Sequence, residues 1–267
     1  MEEREVVAIS IHLHTRYWKV NPFSPNWDRS ILEAASLIAG GKIVAFPTET
    51  VYGLGANALC PKAAERVFAA KGRPSDNPLI VHIAYFWQAA MLVKELPPKA
   101  YTLASRFWPG PLTMVLPKSP LVPDAVSAGL DTVAVRMPDH LVARELIRRS
   151  RCAIAAPSAN ISGKPSPTTA RHVLRDLYGR IDGVLDGGAS EVGLESTVLD
   201  LTSEVPVILR PGGITKEQLE QAVGEIRVDP NLQQIEGNIP PRSPGMKYKH
   251  YAPAGKVFLV DGEPQKA

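Results

Sequence analysis

The chain has 267 residues, enough to bury a sizeable core as one large α/β domain or as a domain with an appendage. It is 45% hydrophobic and 21% charged, with a net charge of +3, which suits an anionic ligand but is too small to argue alone for nucleic-acid binding. The two cysteines, Cys60 and Cys152, have no metal-ligand spacing and argue against a disulfide framework; with no signal-peptide core and no apolar run of about 18 residues, a cytoplasmic protein without a membrane partner is expected.

In chain order, Asn26 or Asp28 is placed to cap a helix carrying Ile31, Leu32, Ala35 and Ile38 on one face, and Gly40-Gly41 ends it. Residues 42–46 read as a short apolar strand stopped by Pro47. Pro61 opens a second helix with Ala64, Val67 and Phe68 inward, ending near Gly72. A buried strand over 79–83 precedes helical stretches at 86–95 and 99–107. Strands follow at 112–116 and 132–137. Asp139 is expected to cap a helix over 140–150, and 153–156 is a strand. Thr168 or Thr169 opens a helix over 168–178. Strands at 184–185, 197–201 and 207–209 and a helix at 215–223 complete the pattern. Such alternation predicts an α/β fold around a twisted open sheet with flanking helices. Several strands follow one another without a helix between them, so the sheet is expected to be mixed. The main α/β domain is read as 1–228. A proline-rich linker arm follows over 229–254, and 255–267 reads as the start of a further domain missing from this chain.

Gly53-Leu54-Gly55-Ala56-Asn57-Ala58 fits a relaxed dinucleotide fingerprint after a strand, but no helix begins within its glycines and the next strand ends in His82-Ile83 rather than an acid. No P-loop sequence exists. Two clusters are better suited to a polyanion. The first, Lys71-Gly72-Arg73-Pro74-Ser75-Asp76-Asn77-Pro78-Leu79-Ile80-Val81-His82, carries two cations on a proline-stiffened loop. They either complement a helix dipole or grip phosphates as a point charge and a planar fork. The second, Pro157-Ser158-Ala159-Asn160-Ile161-Ser162-Gly163, leaves a strand, and Ser158 and Asn160 alternate along it. It reads as an ordinary turn or as a ligand loop. Pro47-Thr48-Glu49-Thr50-Val51-Tyr52-Gly53 is a turn dense in hydroxyls. His82 ends a strand beside it, as a structural histidine or a catalyst. Arg136 lies in the apolar run Val133-Ala134-Val135-Arg136-Met137, where it requires an anion, either a fixed carboxylate or a ligand. Lys247, Lys249, His250 and Tyr251 lie in the arm, as a solvated linker or as a lid over a nucleotide.

These motifs, with Ala156-Pro157-Ser158-Ala159-Asn160 and Glu195-Ser196-Thr197-Val198-Leu199-Asp200, resemble the Sua5/YrdC/YciO family from about residue 25 to 225, and Ser243 to Pro253 resembles the linker of its Sua5 branch. The resemblance implies a YrdC-like fold with a positively charged cavity, and an L-threonylcarbamoyladenylate synthase. Such a nucleotidyltransferase joins L-threonine, bicarbonate or CO2, and ATP with Mg2+, and releases pyrophosphate. A downstream t6A transferase complex would use the product on tRNA, with direct tRNA contact left open. By the same resemblance Lys71, Arg73, Ser158 and Asn160 are catalytic. Lys71, Arg73, Asn77, Thr132, Ser158, Asn160, Ser166 and Arg210 would surround ATP, with Tyr251 closing over the nucleotide. Thr50, His82, Arg136, Ala156 and Ser196 would hold threonine. No protein side chains are assigned to a metal. The alternatives are an RNA-binding module of the same fold, with charge from Arg148, Arg149, Arg151, Arg171 and Arg175, and a carbamoyltransferase domain of hydrogenase maturation. Against the latter, the zinc-finger and acylphosphatase segments are absent from this sequence.

Overall fold

The computed structural model describes residues 14–22, 24 and 27–233. Asn26, Tyr251 and the arm beyond residue 233 lie outside the described residues, as do the linker-lid reading and the 255–267 strand. Strand β1 (Arg16–Lys19) is followed by α1 (Trp27–Ala39), β2 (Val44–Phe46), β3 (Gly53–Asn57), α2 (Pro61–Lys71) and β4 (Ile80–His82). Then come α3 (Phe86–Leu92), α4 (Pro98–Phe107), β5 (Leu112–Pro117), α5 (Asp124–Ser127), β6 (Thr132–Arg136), α6 (Leu141–Ser150) and β7 (Ile154–Ala155). The last elements are α7 (Ala170–Leu177), β8 (Gly183–Asp186), β9 (Thr197–Asp200), β10 (Val207–Arg210), α8 (Lys216–Val223) and β11 (Arg227–Val228). Among the described residues the strands form one mixed sheet in the order β1-β8-β2-β3-β7-β4-β6-β5-β9-β10-β11.

Sequence pattern explains most of these boundaries. Pro61 starts α2 at a position whose N–H has no helical partner, and Gly72 ends it in the left-handed region at φ 60°, its N–H closing on Ala69 O. Thr169 caps α7, accepting from His172 N. Thr215 and Gln218 make a reciprocal capping box on α8. Two expectations are corrected, and one strand goes beyond the sequence pattern. Leu32 lies on the outer face of α1, 51% exposed, while Ile31, Ala34, Ala35 and Ile38 are buried. His140, not Asp139, is the N-cap of α6, without a side-chain cap bond. The glycines at 53 and 55 form strand β3, antiparallel to β2 and β7. A Cβ on Gly55 would lie 2.7 Å from Ile154 Cγ2 and 2.8 Å from Phe46 Cε1, so glycine here permits close packing inside the sheet.

The sheet has two differently covered halves. Around β8, β2 and β3, one face packs against α1 and α6 through Ile31, Ile38, Val44, Phe46, Leu146 and Leu185. The other face takes α2 and α7 through Val67, Leu54, Ala56, Val173 and Val184. Around β4, β6, β5 and β9, one face carries the largest core, with Val81, Val133, Val135, Met114 and Leu199 against α3, α4 and α8. Alternation turns Ile80, Ala134, Val115 and Val198 to the opposite face, where they form only a small cluster. That thinly covered face holds the site.

Candidate functional site

A cavity opens beside this face. It is lined by the 48–53 turn, Arg73, Ile80 and His82 of β4, Arg136 at the end of β6, and Ala156 to Ser158 with Asn160 beyond β7. Lys164, Ser166, Glu195, Ser196 and Arg210 complete the wall. Ile80 and His82 are two apart on one strand, so both face the cavity while Val81 enters the large core. His82 and Arg136 are register partners on adjacent parallel strands. Thus Arg73, Ser158, Asn160, Ser166, Arg210, Thr50, His82, Arg136, Ala156 and Ser196 converge, although they span 160 positions of sequence, from Thr50 to Arg210. Thr132 begins β6, paired with Pro117, and is not in the wall.

Lys71 joins the two clusters but does not face the cavity. Its ammonium is buried beneath the second loop, 2.5 Å from Ser158 O, 2.6 Å from Asn160 O and 3.4 Å from Asn160 Oδ1. Three acceptors match the three protons of an ammonium. Burial, and then the neighbouring Arg73 charge, pull its pKa well below the usual lysine value. Arg73 does reach the wall. Its Nη2 donates to Asn77 O, and Asn77 beneath it is fully buried with neither side-chain amide atom hydrogen-bonded.

On the opposite side, Arg136 is buried in a web of partners. It lies 2.6 Å from Glu49 Oε1, donates to Thr50 Oγ1 at 2.9 Å and to Gly110 O at 3.2 Å. Its anion is therefore a fixed carboxylate, Glu49, itself 5% exposed. Sequence reading missed Glu49 because nothing local links positions 49 and 136. Arg136 also positions the Thr50 hydroxyl, which sits 2.8 Å from Thr48 Oγ1. Ser196 is set similarly: its Oγ is 2.7 Å from Thr113 Oγ1 and accepts from Arg210 Nη2 at 3.1 Å. His82 Nδ1 is 3.2 Å from Ile80 O, and a carbonyl can only accept, so Nδ1 carries the proton and Nε2 is left as an acceptor. Burial, then the Arg136 charge, push its pKa down to about 3, so the ring is neutral at pH 7.

Among the described residues, the wall holds four cationic side chains, Arg73, Arg136, Lys164 and Arg210, and one carboxylate, Glu195. Glu195 accepts from Ser166 Oγ at 2.5 Å. Lys164 was not singled out from sequence, since a lysine in a Gly-Lys-Pro-Ser turn resembles an ordinary surface residue, and Glu195 entered only as the first residue of a motif, with no role assigned. No group of three metal-ligating side chains occurs among the described residues. The arrangement is that of an anion site furnished with hydroxyl donors and a neutral histidine.

A family model described as telomere recombination, covering Sua5, YciO and YrdC proteins, matches residues 36–212. A second, described as threonylcarbamoyl-AMP synthase, C-terminal domain, matches residues 214–267. This second match takes in the segment read as a linker arm and as the start of a further domain, and its first part, α8 and β11, packs against α4 and β10. A threonylcarbamoyl-AMP synthase of Pyrococcus abyssi is 58% identical over 87% of this chain and 68% of its own length. One of Bacillus subtilis is 54% identical over 95% of this chain and 74% of its own length. The crystal structure of P. abyssi Sua5 complexed with L-threonine superposes with a TM-score of 0.90 at 55% identity, covering 94% of this chain and 73% of that one.

Proposed function

Because this chain belongs to the Sua5/YrdC/YciO family, we propose that its cavity brings a carbamate and ATP together. The activity is that of a threonylcarbamoyl-AMP synthase, an enzyme that makes an AMP-linked product from L-threonine and ATP. The observation that carries the reading is the convergence of Arg73, Ser158, Asn160 and Arg210 with Thr50, His82, Arg136 and Ser196 in one cavity.

The threonine amine takes up CO2, supplied as bicarbonate; an N–C bond forms and the amine loses a proton. A carbamate oxygen then attacks the α-phosphorus as the bond to pyrophosphate breaks. No protein nucleophile is required. The obstacle is repulsion between two anions, and fixed positive groups remove it by orientation and charge compensation. Arg73, with Ser158 and Arg210, faces the phosphates in this reading. Arg136, already compensated by Glu49, acts through its remaining donors and through Thr50. A histidine whose conjugate acid sits near pH 3 is a poor base for an ammonium at neutral pH. His82 therefore orients the amine as a hydrogen-bond acceptor, and the proton leaves to bicarbonate or water. Glu195, as a lone carboxylate, suits a Mg2+ that shares its other ligands with phosphates and waters rather than a protein cage. Such an ion would offset phosphate charge when bound.

We place the product upstream of a t6A transferase complex acting on tRNA in the cytoplasm. The RNA-module reading is weakened at Arg148 and Arg149, which are paired with Glu145 and Asp28 rather than displayed as a free basic face. The test is pyrophosphate release measured with each substrate omitted in turn. Release should require both L-threonine and bicarbonate, and Arg73→Ala should lower it roughly 100- to 1000-fold. Equal release without threonine would refute the assignment.

A further inference from the structure

The geometry points to Lys164 as a mobile cation that follows the departing pyrophosphate. This rests on the synthase reading, and extends it to a residue that reading does not use.

The backbone of Lys164 is fixed while its side chain is not. Asn160 Nδ2 donates to Lys164 O at 2.7 Å and to Ile161 O at 2.9 Å. Gly163 supplies the positive φ of 87° that the turn requires, and Ser162 N is tied to Lys71 O. The ammonium lies 2.8 Å from Asp176 Oδ1 at the cavity mouth, with the lysine side chain 51% exposed. Only the lysine end of the pair is half-exposed; the Asp176 side chain is 11% exposed, so it is the ammonium, on its solvent side, that is free to exchange the carboxylate for a phosphate. Asp176 is not orphaned by the exchange, because its other oxygen also accepts from Ile161 N at 3.3 Å.

The other cations are more constrained. Arg136 is held by Glu49, Arg210 donates to Ser196 O and Oγ, and Lys71 spends its protons beneath the loop. Negative charge grows on the pyrophosphate oxygens as their bond to the α-phosphorus breaks. A cation able to follow that charge acts more strongly late in the reaction than in the ground state, which is where it accelerates the step. A lysine, a point charge on a flexible four-carbon stem, fits this better than a planar guanidinium. Lys164 forms and breaks no covalent bond.

The test is calorimetric titration of inorganic pyrophosphate and, separately, L-threonine into the full chain and its Lys164→Met and Lys164→Arg variants. Lys164→Met should bind pyrophosphate about 10-fold more weakly, the worth of one charge-assisted hydrogen bond. Threonine affinity should be unchanged, and Lys164→Arg should recover most of the loss. Equal pyrophosphate affinity in wild type and Lys164→Met overturns the proposal, as does a parallel loss of threonine binding, which would mark a structural role. Pyrophosphate binding that depends on Lys164 in a chain that binds no threonine would instead sink the synthase reading and leave the lysine assignment standing.

Discussion

Replacing Lys71 with methionine separates two roles that its sequence context cannot. Methionine preserves most of the side-chain volume, so packing changes little. What is lost is the ammonium that bridges Ser158 O and Asn160 O at 2.5 and 2.6 Å. Each buried acceptor left without a donor costs ~1–3 kcal/mol, giving about 2–6 kcal/mol for the two. Relief from burying a charge, visible in the depressed lysine pKa, offsets part of this and places the net effect near the lower half. A chain of this size loses ~2–4 °C in melting temperature per kcal/mol, so a drop of about 5–10 °C is expected. The assay is thermal unfolding without nucleotide. Arg73→Met, at the cavity wall, should shift that midpoint less while weakening ATP binding more. If Lys71→Met melts like wild type but loses ATP affinity, the lysine is a phosphate ligand and the bridging argument is wrong.

Three further outcomes are expected. His82 holds its native pKa near 3 against an ordinary 6.5, so below about pH 6.5 the unfolded chain binds a proton that the native one refuses. Its contribution is intact above pH 6.5 and is lost toward pH 3 at roughly 1.4 kcal/mol per pH unit; His82→Gln should flatten that slope in denaturant unfolding, and parallel curves would refute the assignment. Glu49→Gln strands the Arg136 charge in a buried site and should cost about 3–5 kcal/mol in urea unfolding, whereas no loss would mean the ion pair contributes nothing. Gly212→Ala places a Cβ 2.3 Å from Glu195 O and 2.5 Å from Thr197 N, displacing the strand entry that carries Ser196. A misplacement approaching 1 Å there should lower threonine-dependent turnover up to ~100-fold, and full turnover would show the loop adapts.

Most helices were legible because their signals are local, while the four-residue α5 between β5 and β6 is too short to show a periodicity. Pro61 and Gly72 bracket α2, and Thr169 and Thr215 cap α7 and α8. Strand β3 was not, since glycine weakens a strand unless a neighbour demands the space, and the demand comes from Ile154, about a hundred positions away. Strand β1, Arg16–Lys19, lies at the sheet edge with a mostly exposed pattern and so carries no apolar alternation. In the site, Arg136 announced itself as a charge inside an apolar strand, and the need for an anion was readable. Its identity as Glu49 was not, because the pairing is made by the fold. The same holds for Lys71: sequence gives its charge, but only the crossing of α2 beneath the 158–160 loop gives its direction. Lys164 and Glu195 become visible only when the fold brings both into the wall of one cavity.

In the proposed reaction one cavity lets a carbamate reach the α-phosphorus of ATP. The direct measurement is incubation of the protein with ATP, L-threonine and carbon-labelled bicarbonate, followed by chromatography of the nucleotide products. Label should enter a threonine-containing adenylate, formed mole for mole with pyrophosphate and absent when threonine is omitted. Pyrophosphate released with no label entering any adenylate would contradict it.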